Sequence, residues 1–148
     1  MFKTKVKKVI NITDRIKTFD DACREIGTTE EKFNKLYNNY AYDTLAYEKL
    51  KIIIKALNEG WEPDWSNDNE RKWFPYFKGS PFGFDGTHCA FWSTASSTGS
   101  RLCLKSEELA KYCGKQFEHI YREYMMIDKK LERRNKLKRI VECKYYMI

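Results

Sequence analysis

The hydrophobic pattern is clearest over residues 100–131, where its period changes from two to about 3.6. Leu102 and Leu104 share one face of an alternating segment, which predicts a short strand. Ser106 follows where a helix N-cap belongs, with two glutamates in the first turn. Apolar residues then recur at steps of three and four, at Leu109, Cys113, Phe117, Ile120, Tyr124, Ile127 and Leu131. This stripe predicts one long amphipathic helix over residues 106–131.

Two residues of this helix have simple structural interpretations. Glycine inside a helix costs about 1 kcal/mol relative to alanine, so we interpret Gly114 as a point of close packing against another element. Cys113 lies on the apolar stripe, and we interpret it as a small buried hydrophobic residue. Neither residue therefore indicates a catalytic or ligand-binding role.

Residues 13–60 have the pattern of a small helical half. Thr18 and Asp21 have the spacing of a capping box, which predicts a helix from Phe19 to Ile26. Gly27 is expected to end that helix, because glycine readily adopts the left-handed conformation that follows a helix.

Two further helices are predicted in the same half. Thr28 and Glu31 repeat the capping-box spacing, and Asp43 or Thr44 begins a third helix. The residues expected to face inward are Phe33, Leu36 and Tyr37, followed by Leu45, Leu50, Ile53, Ile54 and Leu57. Ahead of these helices, the loose alternation over residues 6–12 favours a strand.

The composition changes at Trp61, after which aromatic residues, glycine, proline and polar turn-formers dominate up to residue 99. The segment WEPDWSNDNE indicates a loop, and KWFPYFK predicts a strand whose Pro75 requires an edge position. GSPFGFDG indicates a tight turn, and THCAFWSTA predicts a second strand. Together with the strand at residues 100–105, these segments predict a three-stranded antiparallel meander.

These elements predict an α+β fold, with an N-terminal helical half and a three-stranded antiparallel meander covered by a long C-terminal helix. A chain of 148 residues suits a single domain, which we assign to residues 1–131. Its predicted parts are a helical region over 13–60, an aromatic β-meander over 61–105 and a helix over 106–131. Residues 132–148 are predicted to form a basic C-terminal extension.

The net charge of +7 is concentrated at the two ends of the chain. Residues 1–17 contain six basic residues and one acidic residue, and residues 128–148 contain eight basic and three acidic residues. The intervening residues carry a net charge of −3. This asymmetry favours contact with a polyanion, although basic ends also occur as solubilising tails, and both interpretations stay open.

The cysteine pattern and the lack of long apolar runs favour a cytoplasmic protein. The five cysteines are scattered and form no CxxC pair, which is typical of reduced thiols. No apolar run is long enough for a transmembrane helix, and no apolar segment after the N-terminal lysines is long enough for a signal peptide. We therefore expect no contact with a membrane.

The sequence contains no recognisable catalytic or metal-binding motif. His88, Cys89 and His119 lack the paired spacing of zinc ligands. Five cysteines and two histidines make some chance Cys/His pair unavoidable, and P-loop, GxGxxG and HExxH motifs are absent. The sequence therefore predicts no catalytic residue, no metal site and no cofactor, and favours a protein that is not an enzyme.

Nucleic-acid binding is the function class with the most support. Basic residues near the C-terminus can follow a phosphate backbone, namely Lys129, Lys130, Arg133, Arg134, Lys136, Lys138 and Arg139. Three aromatic residues can stack on bases from a sheet surface, namely Trp73, Tyr76 and Trp92. The alternative is that these aromatic residues pack in the core and loops, and that the basic segment is a solvated helix face.

Five segments between Ile16 and Ile127 carry a resemblance, namely IKTFDDAC, ALNEGW, PDW, GSRLC and GKQF. In these segments the chain resembles a family of small uncharacterised proteins encoded by bacteriophages and mobile elements of gut anaerobic bacteria. The resemblance implies a phage context, with a DNA-handling, virion or anti-defence role, and it assigns no catalytic residue. The basic segment after Ile127 looks like an extension beyond the family's usual end.

The leading hypothesis is a small phage-type accessory protein that binds nucleic acid and catalyses no reaction. The alternative hypothesis is a protein-interaction module, either an anti-defence inhibitor or a virion component, that does not bind nucleic acid. The expected partners are nucleic acid, a phage or host protein, and a second copy of the chain through the C-terminal helix. The expected location is the host cytoplasm during infection, or the virion.

Overall fold

The computed structural model describes residues 11–79, 81–90 and 100–126. Within these residues, helices combine with a two-stranded antiparallel sheet, so the predicted α+β class is confirmed at that level. The finer prediction, a three-stranded meander under one long helix, differs from the described structure in both of its parts.

Four helices form the N-terminal half, namely α1 (Ile12–Arg15), α2 (Phe19–Glu25), α3 (Glu30–Tyr37) and α4 (Tyr42–Leu57). The predicted capping box of α2 is confirmed, because the Thr18 hydroxyl accepts from the Asp21 N–H at 3.1 Å and the Asp21 carboxylate accepts from the Thr18 N–H at 2.8 Å. Gly27 follows α2 with a φ of +78°, a left-handed conformation that glycine adopts without strain. The start and the end of α2 could therefore both be predicted from the sequence.

The predicted strand over residues 6–12 differs from the structure at its described end. Ile12 begins α1, because the Asn11 side chain accepts from the Thr13 N–H at 3.1 Å and so caps a helix. Residues 6–10 of that prediction lie outside the described part of the chain.

Helix α3 also differs from its prediction in two details. Its N-cap is Thr29 instead of Thr28, since the Thr29 hydroxyl accepts from the Lys32 N–H at 3.2 Å. Phe33 is buried as predicted, whereas Leu36 is 68% exposed and contributes little to the core.

The sheet consists of β1 (Lys72–Gly79) and β2 (Phe82–Ala90), and the first of the predicted strands is therefore confirmed. The register runs from Lys72 opposite Ala90 to Gly79 opposite Phe82. The pairing is irregular after Tyr76, where Gly86 has a φ of +140°. The predicted turn GSPFGFDG was wrong over residues 82–86, which belong to β2: Gly83 pairs with Lys78, and Gly86 lies at the bulge.

The segment predicted as the third strand meets β1 at a single point. Residues Ser100–Leu102 form a 3-10 helix, and Leu104 then exchanges two backbone hydrogen bonds with Trp73, at 2.8 and 3.0 Å. Leu102 and Leu104 are both buried as predicted, but Cys103 between them is buried as well, so burial does not alternate here, and the backbone forms one bridge instead of a strand. Residues 91–95, predicted to continue the second strand, lie outside the described part of the chain.

The predicted long helix is two helices, α5 (Glu107–Gln116) and α6 (Glu118–Met125). Ser106 caps α5 as predicted, since its hydroxyl accepts from the Leu109 N–H at 3.3 Å. Phe117 separates the two helices with a φ of −113° and a ψ of 24°, and its ring is buried. The apolar stripe continues through this break, which is why its period did not reveal it. Residues 127–131 and the basic extension 132–148 lie outside the described part of the chain.

The helices α5 and α6 connect the sheet to the N-terminal half. Helix α5 packs on both strands, α6 packs on β2 and α4, and α4 also contacts α2. Gly114 of α5 lies against the sheet, and a Cβ atom there would be 2.8 Å from the Pro75 Cβ and still closer to the Phe84 ring. The prediction of close packing at Gly114 is therefore confirmed.

Candidate functional site

An open groove of 640 Å³ lies between the C-terminal part of α4, the loop that follows it and the segment before α5. This volume falls within the range of about 300–1,000 Å³ that is usual for ligand sites. Its charged and aromatic lining consists of Lys51, Lys55, Arg101, Glu62, Trp61 and Trp65. Three cations therefore face one carboxylate across a surface that carries two indole rings.

Helix α4 supplies two of the cations. Lys51 and Lys55 are four residues apart, so they lie on the same face of the helix. The Lys51 ammonium pairs with Glu48 at 2.6 Å. Lys55 is exposed and forms no ion pair with any of the residues that the structure describes. Its charge is therefore available to an anionic ligand.

Arg101 reaches the groove because a buried amide holds its segment against the end of α4. The Asn58 Nδ2 donates to the Cys103 carbonyl at 2.9 Å, and the Asn58 Oδ1 accepts from the Lys105 N–H at 3.1 Å. The Lys105 ammonium also pairs with Glu59 at 3.0 Å. Arg101 itself is exposed and, within residues 11–79, 81–90 and 100–126, has no ion-pair partner.

The loop that carries the two tryptophans is held by its own hydrogen bonds. The Trp61 N–H donates to the Asn58 carbonyl at 2.9 Å, which fixes the start of the loop. The Asp64 carboxylate accepts from the Ser66 N–H at 2.9 Å, and the Glu70 carboxylate accepts from the Asp64 N–H at 2.7 Å. The Asp64 contact is an Asx turn, and the Glu70 contact joins the two ends of the loop, so both restrict it.

Lys72, the first residue of β1, closes the loop from inside the protein. Its side chain is fully buried, and its ammonium donates to the carbonyls of Asn67 and Glu70, both at 3.2 Å. It also pairs with the Glu70 carboxylate at 3.1 Å and lies 5.3 Å from the centroid of the Trp65 ring. A buried ammonium with three oxygen partners and a ring face is well satisfied.

The residues predicted from the sequence as base-stacking groups lie away from this groove or outside the described chain. Trp73 is half-buried against the core, and its backbone forms the bridge to Leu104. Tyr76 is 47% exposed, and its ring meets that of His88 edge to face at 4.8 Å. Trp92 lies outside the described residues, as do the predicted phosphate-binding residues Lys129, Lys130, Arg133, Arg134, Lys136, Lys138 and Arg139.

The sequence interpretation missed the groove residues. Two tryptophans four residues apart in WEPDW, preceded by two lysines at helical spacing, were the available local signal. Arg101 had no such signal, because it joins the groove through tertiary contacts of its segment, among them those with the distant Asn58.

The buried cysteines Cys23, Cys103 and Cys113 are poorly suited to nucleophilic catalysis. Burial raises the pKa of the Cys23 and Cys103 thiols to about 11 and that of Cys113 to about 12. These thiols are therefore protonated near neutral pH, whereas a nucleophilic cysteine requires the thiolate. Across the part of the chain that the structure describes, histidine, cysteine and acidic side chains nowhere form a group of three that could hold a metal ion.

Comparisons with protein-family models, with curated proteins and with solved structures each find no match. Among the described residues, no helix is long and apolar enough to cross a membrane.

Proposed function

We propose that this chain is a small, non-enzymatic, phage-type accessory protein that binds nucleic acid, with the groove beside α4 as its body contact. The observation that supports this proposal is that two exposed cations, Lys55 and Arg101, line the same groove as the indoles of Trp61 and Trp65. Cations bind the phosphates of a nucleic acid, and aromatic rings stack on its bases.

The balance of charge in the groove favours a polyanion. Glu62 opposes three cationic side chains, and only Lys51 among these three is paired with a described carboxylate. In this proposal the basic extension, predicted from the sequence over residues 132–148, adds phosphate contacts along the strand while the groove supplies the local contact. The place of action would be the host cytoplasm during infection.

The test is the salt dependence of binding by the full-length chain. A fluorescently labelled 20-nucleotide strand would be titrated at several salt concentrations and followed by anisotropy. If Lys55 and Arg101 contact phosphates, Lys55→Glu with Arg101→Glu should weaken binding. The slope of log affinity against log salt should also decrease in magnitude by about 1.4, since each phosphate contact contributes about 0.7 for single strands.

Lys32→Glu is the matched control for a change of charge. Lys32 is an exposed helical lysine on α3, a helix that contributes no residue to the groove. Its reversal should leave the slope unchanged after correction for net charge. The proposal fails if the full-length protein does not bind single-stranded or double-stranded nucleic acid at low salt.

A protein-interaction module remains the second candidate, because large apolar side chains are exposed on the helices. Leu36 is 68% exposed and Met125 is 51% exposed, so both side chains are accessible to a partner. In this case, light scattering of the purified chain should show a defined oligomer or a co-purifying protein. Leu36→Lys should abolish that assembly, and the full-length chain should not bind nucleic acid.

A further inference from the structure

The two tryptophans give the groove a feature that phosphate binding alone does not use. Trp61 and Trp65 are both half-buried, and both line the same groove with Pro63 between them in sequence. An indole face that borders a groove offers a surface on which a flat ring can stack. Nucleobases stack on aromatic side chains regardless of their sequence, because every base has a π-face.

The Trp65 ring is held by a contact with the buried ammonium of Lys72. Lys72 is fully buried and does not line the groove, whereas Trp65 does. Trp65 therefore contacts both the groove and the buried ammonium, which is 5.3 Å from the ring centroid. Because Lys72 is also bound to Asn67 and Glu70, the ring does not have to be ordered when a ligand arrives.

The cations lie beside this aromatic surface. Lys55 projects from α4, and Arg101 projects from the segment that Asn58 holds against the end of α4. A nucleotide with its base on an indole would have its phosphate close to a positively charged wall of the groove. Stacking and charge are thus offered together, which is the combination used by proteins that bind single strands.

We propose that this groove selects unpaired nucleotides, with bases stacked on Trp61 and Trp65 and phosphates held by Lys55 and Arg101. This inference rests on the proposed function and deepens it by naming the substrate class. In a duplex each base is stacked between its neighbours, so the indoles would have no base face to contact. Only the charge-based part of the binding would then remain.

The experiment compares a 20-nucleotide thymidine strand with a 20-base-pair duplex at the same salt concentration, using full-length protein and anisotropy. The single strand should bind at least about fivefold more tightly than the duplex. Trp65→Leu and Trp61→Leu should each weaken single-strand binding by about fivefold or more while leaving duplex binding unchanged. Binding of the strand should quench the tryptophan fluorescence of the wild type, and this quenching should decrease in both variants.

Two further variants show whether a loss of binding comes from lost stacking, from unfolding, or from the loss of any exposed aromatic residue. Trp65→Phe keeps an aromatic face and should retain most of the single-strand affinity, which a merely destabilised Trp65→Leu could not explain. Tyr76→Leu removes an exposed aromatic residue that does not line the groove, and its binding should be unchanged.

The possible results distinguish this inference from the function on which it rests. If charge reversal at Lys55 and Arg101 weakens binding but neither tryptophan variant does, the stacking inference is wrong and nucleic-acid binding stands. Equal affinity for strand and duplex would also overturn the inference. If neither nucleic acid binds, the proposed function itself is wrong.

Discussion

Lys72 is completely buried, and its ammonium lies 5.3 Å from the centroid of the Trp65 ring. The contact connects the first residue of β1 to the wall of the groove beside α4. The same ammonium also holds the two carbonyls and the carboxylate that shape the loop between them. Through Lys72, the first residue of β1 therefore helps to position the Trp65 ring, which lines the groove beside α4.

Replacing this buried cation should loosen the loop and lower the stability of the fold. Lys72→Met keeps the apolar stem of the side chain but removes the ammonium that donates to the Glu70 carbonyl and pairs with the Glu70 carboxylate. We expect the free energy of unfolding to decrease by about 2 kcal/mol, because unsatisfied polar groups cost about 1–3 kcal/mol. Chemical denaturation followed by tryptophan fluorescence would measure the change.

Lys78→Met provides the comparison within the same strand. The Lys78 side chain is 65% exposed and pairs with Asp85 at 2.8 Å, so its loss should change the free energy of unfolding very little. An equal loss in the two variants would contradict the role given to burial at Lys72.

The capping box of α2 should make stability depend on pH in the acid range. The Thr18 hydroxyl, then Arg24 and the backbone N–H groups of Lys17 and Thr18, lower the pKa of Asp21 from 3.8 to about 2. Because the folded pKa is lower than the unfolded one, the stabilisation is present above about pH 4. It is lost as the pH falls towards 2.

Asp21→Asn should therefore flatten this part of the stability curve. The variant should be about 1 kcal/mol less stable than the wild type at pH 6, and the difference should disappear near pH 2. Thermal denaturation at a series of pH values would follow it. Asp14→Asn removes an exposed carboxylate from the first turn of α1 and serves as the control for loss of charge. A constant difference at every pH would argue against the capping carboxylate.

The hydrophobic pattern predicted burial more reliably than it predicted backbone conformation. Leu102 and Leu104 are buried as predicted, but Cys103 between them is buried too, and the backbone there forms a single bridge instead of the predicted strand. In the same way, the stripe through Phe117 indicated a buried helix face and gave no sign of the break there. Both errors arise because side-chain periodicity reflects which side chains contact solvent, whereas backbone conformation also depends on the hydrogen-bond partners of the chain.

The groove shows a different limit of prediction from sequence. Trp61 and Trp65 are close in sequence, so their proximity had a local signal. Arg101 joins them through tertiary contacts of its segment, among them the two bonds that Asn58 makes to backbone groups far along the chain. A tertiary contact of this kind depends on the whole fold, and no motif around Arg101 announces it.

The amide of Asn58 is therefore expected to support both stability and the groove. Asn58→Leu has a similar size but removes the amide that donates to the Cys103 carbonyl and accepts from the Lys105 N–H. We expect the free energy of unfolding to decrease by about 2–4 kcal/mol, since each buried unsatisfied group costs about 1–3 kcal/mol. Asn34→Leu, at an exposed position of α3, should change it by less than about 0.5 kcal/mol. Urea denaturation of the three proteins would decide, and equal stabilities would refute the role of Asn58.

Gly114 presents a competition between helix propensity and packing. Alanine at this position of α5 would gain about 1 kcal/mol of propensity. Its Cβ, however, would be 2.8 Å from the Pro75 Cβ and closer still to the Phe84 ring, so the sheet and α5 would have to separate. Overpacking of this kind costs about 1–3 kcal/mol. This cost should exceed the gain in helix propensity, because Pro75 lies in a strand and its ring cannot rotate away.

Gly114→Ala is accordingly expected to lower the free energy of unfolding by up to about 2 kcal/mol. Gly83→Ala is the matched control, because a Cβ at Gly83 would meet nothing within 4 Å. That variant should be as stable as the wild type or slightly more stable, since alanine reduces the conformational entropy of the unfolded chain. Phe84→Leu in the Gly114→Ala background should recover only part of the loss, because the Pro75 contact persists. If Gly114→Ala were more stable than the wild type, α5 and the sheet would not be as tightly packed as the structure shows.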